Sequence, residues 1–293
     1  MRIWLMAARP RTLPAAIAPV LVGTAAAVQW AGELPRVGAF LAALVGSIFI
    51  QIGTNLANDY SDARRGADTA DRLGPVRVTS AGLVTPQRVL HATWIAFAVA
   101  IACGIYLATV AGVVILLIGA VSIAAGVLYT GGPRPYGYAG LGEVFVFLFF
   151  GLVAVNGSYY VQLEELDALP LGLSIAVGFL ATAILVVNNV RDLETDRRAG
   201  KTTLAVRMGR ANAVALYRGL VLGAFLLLPI SLVAGDSSLW PLIGLLALPM
   251  GIAPLRAMSN RTDGPALNGA LAATGALLAV FSLLVAAGLL ISS

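Results

Sequence analysis

Nine apolar stretches of about twenty residues, the length a helix needs to cross a bilayer, set the terms for this chain. They fall at 12–30, 37–57, 88–107, 110–130, 142–162, 170–190, 212–234, 240–258 and 265–290. In lipid the backbone must satisfy itself, so such stretches fold as helices. The chain is 59% hydrophobic and 11% charged, too little charge for a soluble globule to face water. The prediction is an all-α integral membrane protein with nine transmembrane helices. Gly, Ala and Ser recur inside the spans, which suits close helix packing in lipid. Pro14, Pro19, Pro249 and Pro254 are predicted to kink or end helices. The opening residues MRIWLMAARPRTLP carry basic groups but no small-residue cleavage pattern, so the first apolar run reads as a membrane helix rather than a removable signal.

The basic residues orient the spans. With the N-terminus in the cytoplasm, eighteen of the nineteen Lys and Arg residues fall on the cytoplasmic side, and Arg36 alone falls outside. Glu164, Glu165 and Asp167 also fall outside. The net charge of +5 is therefore topological and gives no reason to invoke nucleic acid. The expected location is the cell membrane, multi-pass, with the site described next facing the cytoplasm. The single Cys103 lies within a span and reads as an inert packed thiol. The single His91 reads as an interfacial residue at a helix start.

Only 14 residues are acidic, and two short stretches hold six of them. The first runs from Asn55 through Asn58, Asp59 and Asp62 to Asp68, after the second span. The second runs from Asn188 through Arg191, Asp192 and Asp196 to Lys201, after the sixth. Carboxylates at the edge of a membrane core are costly and call for compensation. If the helices continue through these stretches, Asn55–Asp59, Asn58–Asp62, Asn188–Asp192 and Asp192–Asp196 each stand four residues apart, on one helix face. Each helix end then presents a ladder of oxygens. Hard cations such as Mg²⁺ favour oxygen ligands, with one or two carboxylates plus substrate phosphates. Nearby Arg64, Arg65, Arg197, Arg198 and Lys201 would contact phosphate or simply anchor the cytoplasmic face. The two stretches share a weak repeat, Asp62-Ala-Arg-Arg-Gly66 and Asp196-Arg-Arg-Ala-Gly200. Transporters also carry such repeats, so it does not by itself choose an enzyme.

A metal-bound diphosphate beside a bilayer points to a prenyl diphosphate, whose allylic cation would need a dry cavity and aromatic faces. Tyr129, Phe145, Phe147, Phe149, Phe150, Tyr159 and Tyr160 are the candidates for those faces.

Asn58-Asp59-x-x-Asp62 and Asp192-x-x-x-Asp196, placed after the second and sixth of nine spans, resemble the UbiA superfamily of membrane prenyltransferases. Within it the chain looks most like the branch acting on 1,4-dihydroxy-2-naphthoate, through Gly74-Pro75-x-Arg77, Tyr129-Thr-Gly-Gly-Pro-x-Pro-Tyr-Gly-Tyr138, Gly142-Glu143, Asn188-Asn189-x-Arg191-Asp192 and Gly200-Lys201-x-Thr203. The general superfamily motif has a third Asp four residues after Asp62. Gly66 stands there instead, and Asp68 is the nearest acid.

The resemblance implies one domain over 1–293, with nine helices around a central cavity. It implies transfer of a polyprenyl group from a polyprenyl diphosphate to 1,4-dihydroxy-2-naphthoate, with loss of diphosphate and carbon dioxide, giving demethylmenaquinone. Asn58, Asp59, Asp62, Asp68, Asp192 and Asp196 would hold Mg²⁺, with Asp59, Asp62, Asp192 and Asp196 the catalytic acids. Arg191 and Lys201 would join Asn58 around the diphosphate. Asn55, Arg77, Tyr129, Arg134 and Glu143 are substrate-binding candidates, and Arg77 or Arg134 would meet the acceptor's carboxylate. The alternatives are a family member with another aromatic acceptor, such as 4-hydroxybenzoate, and a cation-coupled transporter. A transporter would carry its acids nearer mid-membrane. A CDP-alcohol phosphotransferase would show a compact acidic signature that neither cluster has.

Overall fold

The computed structural model describes residues 2–66 and 73–293, and among these no residue is in a strand. A short helix α1 (Arg2–Ala8) precedes α2 (Pro14–Ala31), α3 (Val37–Arg64), α4 (Pro86–Ala111) and α5 (Val114–Leu128). Then come α6 (Gly142–Leu163), α7 (Ala168–Arg191), α8 (Leu193–Arg198), α9 (Leu204–Ala234), α10 (Trp240–Asn260) and α11 (Gly264–Ile291). Eight of these are long and apolar enough to cross a membrane.

The fourth expected span, 110–130, is the exception. It appears as α5, whose fifteen residues extend about 22 Å, short of the roughly 30 Å hydrocarbon core. Glycine sets its limits. Gly112 has φ 87° and ψ 166°, a conformation open essentially to glycine alone, and it breaks the chain after α4. Beyond Leu128, Gly132 at φ 73° turns the chain again. The other expected spans coincide with single helices, and α3 runs seven residues past its expected end at 57. The proline expectations resolve individually: Pro14 opens α2 and Pro19 lies within it, whereas Pro249 sits in the 3₁₀ half of α10 and Pro254 just inside its α-helical half.

Helix α6 has an unusual middle. Residues Phe147–Val153 are wound as π-helix between two α-helical turns. The wider winding brings Gly151 against α7, where an added Cβ would lie 2.7 Å from the Gly178 Cα. Two glycines facing each other let these helices touch backbone to backbone.

Packing divides the molecule. Helices α7, α9, α10 and α11 form a core with α2 in which Leu180, Tyr217, Leu228 and Phe281 are fully enclosed. Helices α3, α4 and α5 pack together beside it. At the end opposite the acids, Arg36 ties these parts together. It bonds the Val161 and Val110 carbonyls at 3.2 and 3.4 Å and Glu164 at 2.5 Å.

Candidate active site

A cavity of about 370 Å³ opens between α2, α3, α4, α5, α6 and α7. Along α3 its lining extends from Ala42 to Asp62, a rise of about 30 Å. Most of that length is small or apolar, including Ala43, Gly46, Gly104, Leu107, Ile115 and Gly119. The polar groups gather at one end: Asn58, Asp62, Asn188, Asp192, Asp196 and Lys201.

The first acid ladder is helical, as its spacing predicts, but its members divide. Asp62 faces the cavity at 1% exposure. Its Oδ2 accepts from Arg77 Nη2 at 2.7 Å and lies 3.6 Å from Lys201 Nζ. Its Oδ1 accepts from the Tyr138 hydroxyl at 2.5 Å. Asn58 also lines the cavity, its Oδ1 accepting from Thr130 Oγ1 at 2.8 Å.

Asp59 and Asn55 are directed elsewhere. The Asp59 carboxylate accepts from the Val78 and Thr79 backbone N–H groups at 3.0 and 2.9 Å, and it is not part of the cavity wall. It pins the segment that carries Arg77. Asn55 reaches the cavity wall but donates to the Ala8 carbonyl at 3.0 Å and Thr12 Oγ1 at 3.2 Å, securing the N-terminal segment. Asp68 lies outside the described residues.

The second ladder is broken in the middle. Helix α7 ends at Arg191, Asp192 takes φ −91° and ψ 5°, and α8 starts at Leu193. Asp196 N still bonds the Asp192 carbonyl at 2.7 Å, so both acids remain on the cavity. Arg191 is buried and holds Asp192 in a fork, Nη2 to Oδ2 at 2.6 Å and Nε to Oδ1 at 2.9 Å. Two further donors go to Asn188 Oδ1 at 2.8 Å and Asn268 Oδ1 at 2.9 Å. A planar guanidinium suits this bidentate role.

Arg64, Arg65, Arg134, Arg197 and Arg198 are exposed. Arg65 donates to the Gly132 carbonyl, Arg197 pairs with Glu194 at 3.0 Å, and Arg134 is apart from the cavity wall. Of the basic candidates, Arg77 and Lys201 alone join the wall. Glu143 is buried just behind it, against Asn189.

Tyr138, which carried no assigned role in the sequence, connects the two clusters. Besides bonding Asp62, its ring lies 4.7 Å beneath Lys201 Nζ, and its carbonyl accepts from the Thr202 N–H at 2.9 Å. Burial, and then the negative field of Asp62, push its hydroxyl well above the ordinary tyrosine range, so it stays protonated and donates.

The aromatic candidates also separate. Tyr129, Phe145, Phe149 and Phe150 line the cavity, together with Tyr136. Tyr136 stacks on Phe145 with centroids 3.9 Å apart and meets Tyr129 edge-on at 5.5 Å. Phe147 turns away to Phe179, Tyr159 is packed in the core, and Tyr160 joins the cluster at the Arg36 end.

Among the described residues no three acidic, His or Cys side chains are grouped tightly enough to form a ready-made metal site. The donors nevertheless fit Mg²⁺ delivered with a phosphorylated ligand, which needs only one or two carboxylates from protein. Asp62, Asp192 and Asp196 supply hard oxygen donors to one cavity, as do Asn58 and Asn188.

Carboxylates and bases at one end of a largely apolar cavity, set among helices of membrane-spanning length, define a multi-helix membrane protein with an internal polar site. The chain belongs to the UbiA prenyltransferase family, whose model matches residues 16–268. It is 43% identical to the 1,4-dihydroxy-2-naphthoate octaprenyltransferase of Mycobacterium tuberculosis, over 98% of this chain and 96% of that one. It is 40% identical to the protein of the same name from Escherichia coli, over 94% and 91%. Its fold matches a UbiA homolog from Archaeoglobus fulgidus bound to DMAPP and Mg²⁺, with TM-score 0.61, 16% identity and coverage of 96% and 98%.

Proposed function

We propose that this enzyme transfers a polyprenyl group from an allylic polyprenyl diphosphate to 1,4-dihydroxy-2-naphthoate, a step of menaquinone biosynthesis. The observation that carries the reading is the polarity of one cavity. Asp62, Asp192, Asp196 and Lys201 stand at one end of it, and about 18 Å of mostly small or apolar wall, Ala42 to Thr54, extends beyond them along α3. A diphosphate fits the first part and a polyprenyl chain the second. The names of the relatives supply the acceptor.

Asn58, Asp62, Asp192 and Asp196 would hold Mg²⁺, with Asp68, outside the described residues, a further candidate. Bound there, the ion would supply the positive charge that offsets the leaving diphosphate. Arg77 and Lys201, which pair with Asp62, transfer their contacts to phosphate oxygens. Arg191 keeps Asp192 aimed at the cavity. Asp59 holds the Arg77 segment and acts through it.

The allylic C–O bond breaks with its electron pair leaving on diphosphate. The cation is shielded from water and faces the Tyr129, Tyr136, Phe145 and Phe149 rings. The acceptor's ring carbon that bears the carboxylate then forms the new C–C bond. Loss of carbon dioxide returns an electron pair to the ring, giving the quinol form of demethylmenaquinone, whose later two-electron oxidation to the quinone is a separate step.

The chain forms one domain over 1–293 with nine membrane passes, the short α5 among them. Its N-terminus and acid clusters face the cytoplasm, which the distribution of Lys and Arg supports. The test is a panel assay: purified protein in detergent with Mg²⁺, a labelled polyprenyl diphosphate and each aromatic acceptor in turn. Prenylation of 1,4-dihydroxy-2-naphthoate supports the reading. Product only with 4-hydroxybenzoate, or with no acceptor, overturns it.

A further inference from the structure

Glu143 is the one acid near the cavity that the steps above do not use. It is 6% exposed, in the first turn of α6. Its Oε1 accepts from Asn189 Nδ2 at 2.8 Å, and its Oε2 is buried with no hydrogen-bond partner among the described residues. A buried carboxylate with one side-chain partner and one unpartnered oxygen is a poor device for stability. An apolar side chain of similar size would fill the same place at less cost.

What the contact does accomplish is orientation. A carboxamide can be turned either way, and its neighbours decide which. A carboxylate accepts only, so it draws the Asn189 NH₂ group toward α6. The Asn189 carbonyl oxygen is thereby turned to the opposite edge of the amide, away from the Glu143 contact, and Asn189 is a cavity-wall residue. Two walls meet there. Asn188 and Asp192 lie on the same helix end, toward the diphosphate. Tyr129, Tyr136 and Phe145 form the aromatic face on the other side. This corner is flat, aromatic and rich in acceptors, and it suits a planar ring that donates a hydrogen bond.

We infer that Glu143 is a positioning residue that locks the Asn189 carboxamide so that its carbonyl oxygen accepts a hydrogen bond from a phenolic hydroxyl of the aromatic acceptor. The pair then discriminates hydroxyl-bearing rings from ring ethers, because an ether in the occupied cavity leaves the Asn189 oxygen without its donor. This deepens the aromatic-acceptor reading above and rests on it.

The experiment compares wild type with Glu143→Leu, Glu143→Gln and Asn189→Ala. Steady-state kinetics are measured with the hydroxyl-bearing acceptor and with its monomethyl ethers, and binding of Mn²⁺ with prenyl diphosphate is measured without acceptor. Glu143→Leu and Asn189→Ala are expected to raise the acceptor KM at least tenfold. The donor KM and Mn²⁺ binding should stay within twofold of wild type. Glu143→Gln, whose carbonyl still accepts from Asn189, should recover most of the acceptor affinity. For the methyl ether of the hydroxyl that is read, the variants should match wild type.

An unchanged acceptor KM in the folded variants overturns the inference. So does an equal rise in donor KM, or loss of Mn²⁺ binding in Asn189→Ala, which would make Asn189 a metal or diphosphate residue. If Glu143→Leu does not fold, Asn189→Ala with the ether series decides alone. A wild-type enzyme that prenylates no hydroxyl-bearing ring would instead sink the aromatic-acceptor reading itself.

Discussion

Arg77 donates to Asp62 across 2.7 Å with both side chains buried, and this pairing redefines the arginine. From sequence, Arg77 was a candidate for the acceptor's carboxylate. In the structure it compensates the charge of Asp62, the carboxylate proposed to hold Mg²⁺. The account therefore places Arg77 at the diphosphate end. Arg77→Ala should raise the KM for prenyl diphosphate at least tenfold and leave the acceptor KM within twofold. It also leaves Asp62 with less compensation, a type of change that typically costs about 3–5 kcal/mol. A thermal-shift titration should show Mg²⁺ stabilising the variant more than wild type. A rise confined to the acceptor KM would contradict the assignment.

Asp59 and Asp62 are three residues apart and should fail in different ways. Asp59→Ala removes the acceptor for the Val78 and Thr79 N–H groups. The segment around Arg77 should then become more susceptible to proteolysis, and activity should fall while Mn²⁺ binding persists. Asp62→Asn should abolish Mn²⁺ binding with the segment still protected. Equal loss of Mn²⁺ in both variants would return Asp59 to the ligand set.

Tyr138 gives a pH signature. Its hydroxyl is raised above the ordinary value, by burial first and by Asp62 second. The unfolded chain ionises this group near pH 10, whereas the folded protein keeps it protonated to higher pH. Its contribution is therefore complete below about pH 10 and is lost as pH rises toward the folded pKa. The Tm advantage of wild type over Tyr138→Phe should be flat through neutral pH and shrink in strong alkali. An advantage that grows with alkali would contradict the donor role.

Much of this was legible because it is local. Spans follow from runs of apolar residues, and Asn58–Asp62 shares a face because four residues make roughly one turn. What was illegible is contact at a distance. Asp59 meets backbone groups nineteen residues on, and backbone N–H groups leave no trace in side-chain chemistry. Tyr138 reaches Asp62 across seventy-six positions. The brevity of α5 followed from Gly112, whose φ of 87° a count of apolar residues does not register. The break at Asp192 was equally hidden, since Asn188, Asp192 and Asp196 keep helical spacing in sequence while the helix ends between them.

The central claim is that one cavity both releases diphosphate and replaces the acceptor's carboxylate. The direct measurement uses 1,4-dihydroxy-2-naphthoate labelled at its carboxyl carbon, with polyprenyl diphosphate and Mg²⁺. Released carbon dioxide and prenylated product are counted together for wild type, Asp62→Asn and Asp192→Asn. The account predicts one carbon dioxide per product in wild type, and losses of about 10²-fold or more in both variants, as removal of transition-state charge stabilisation typically produces. Prenylated product that retains the label, or near-wild-type turnover in either variant, would contradict it.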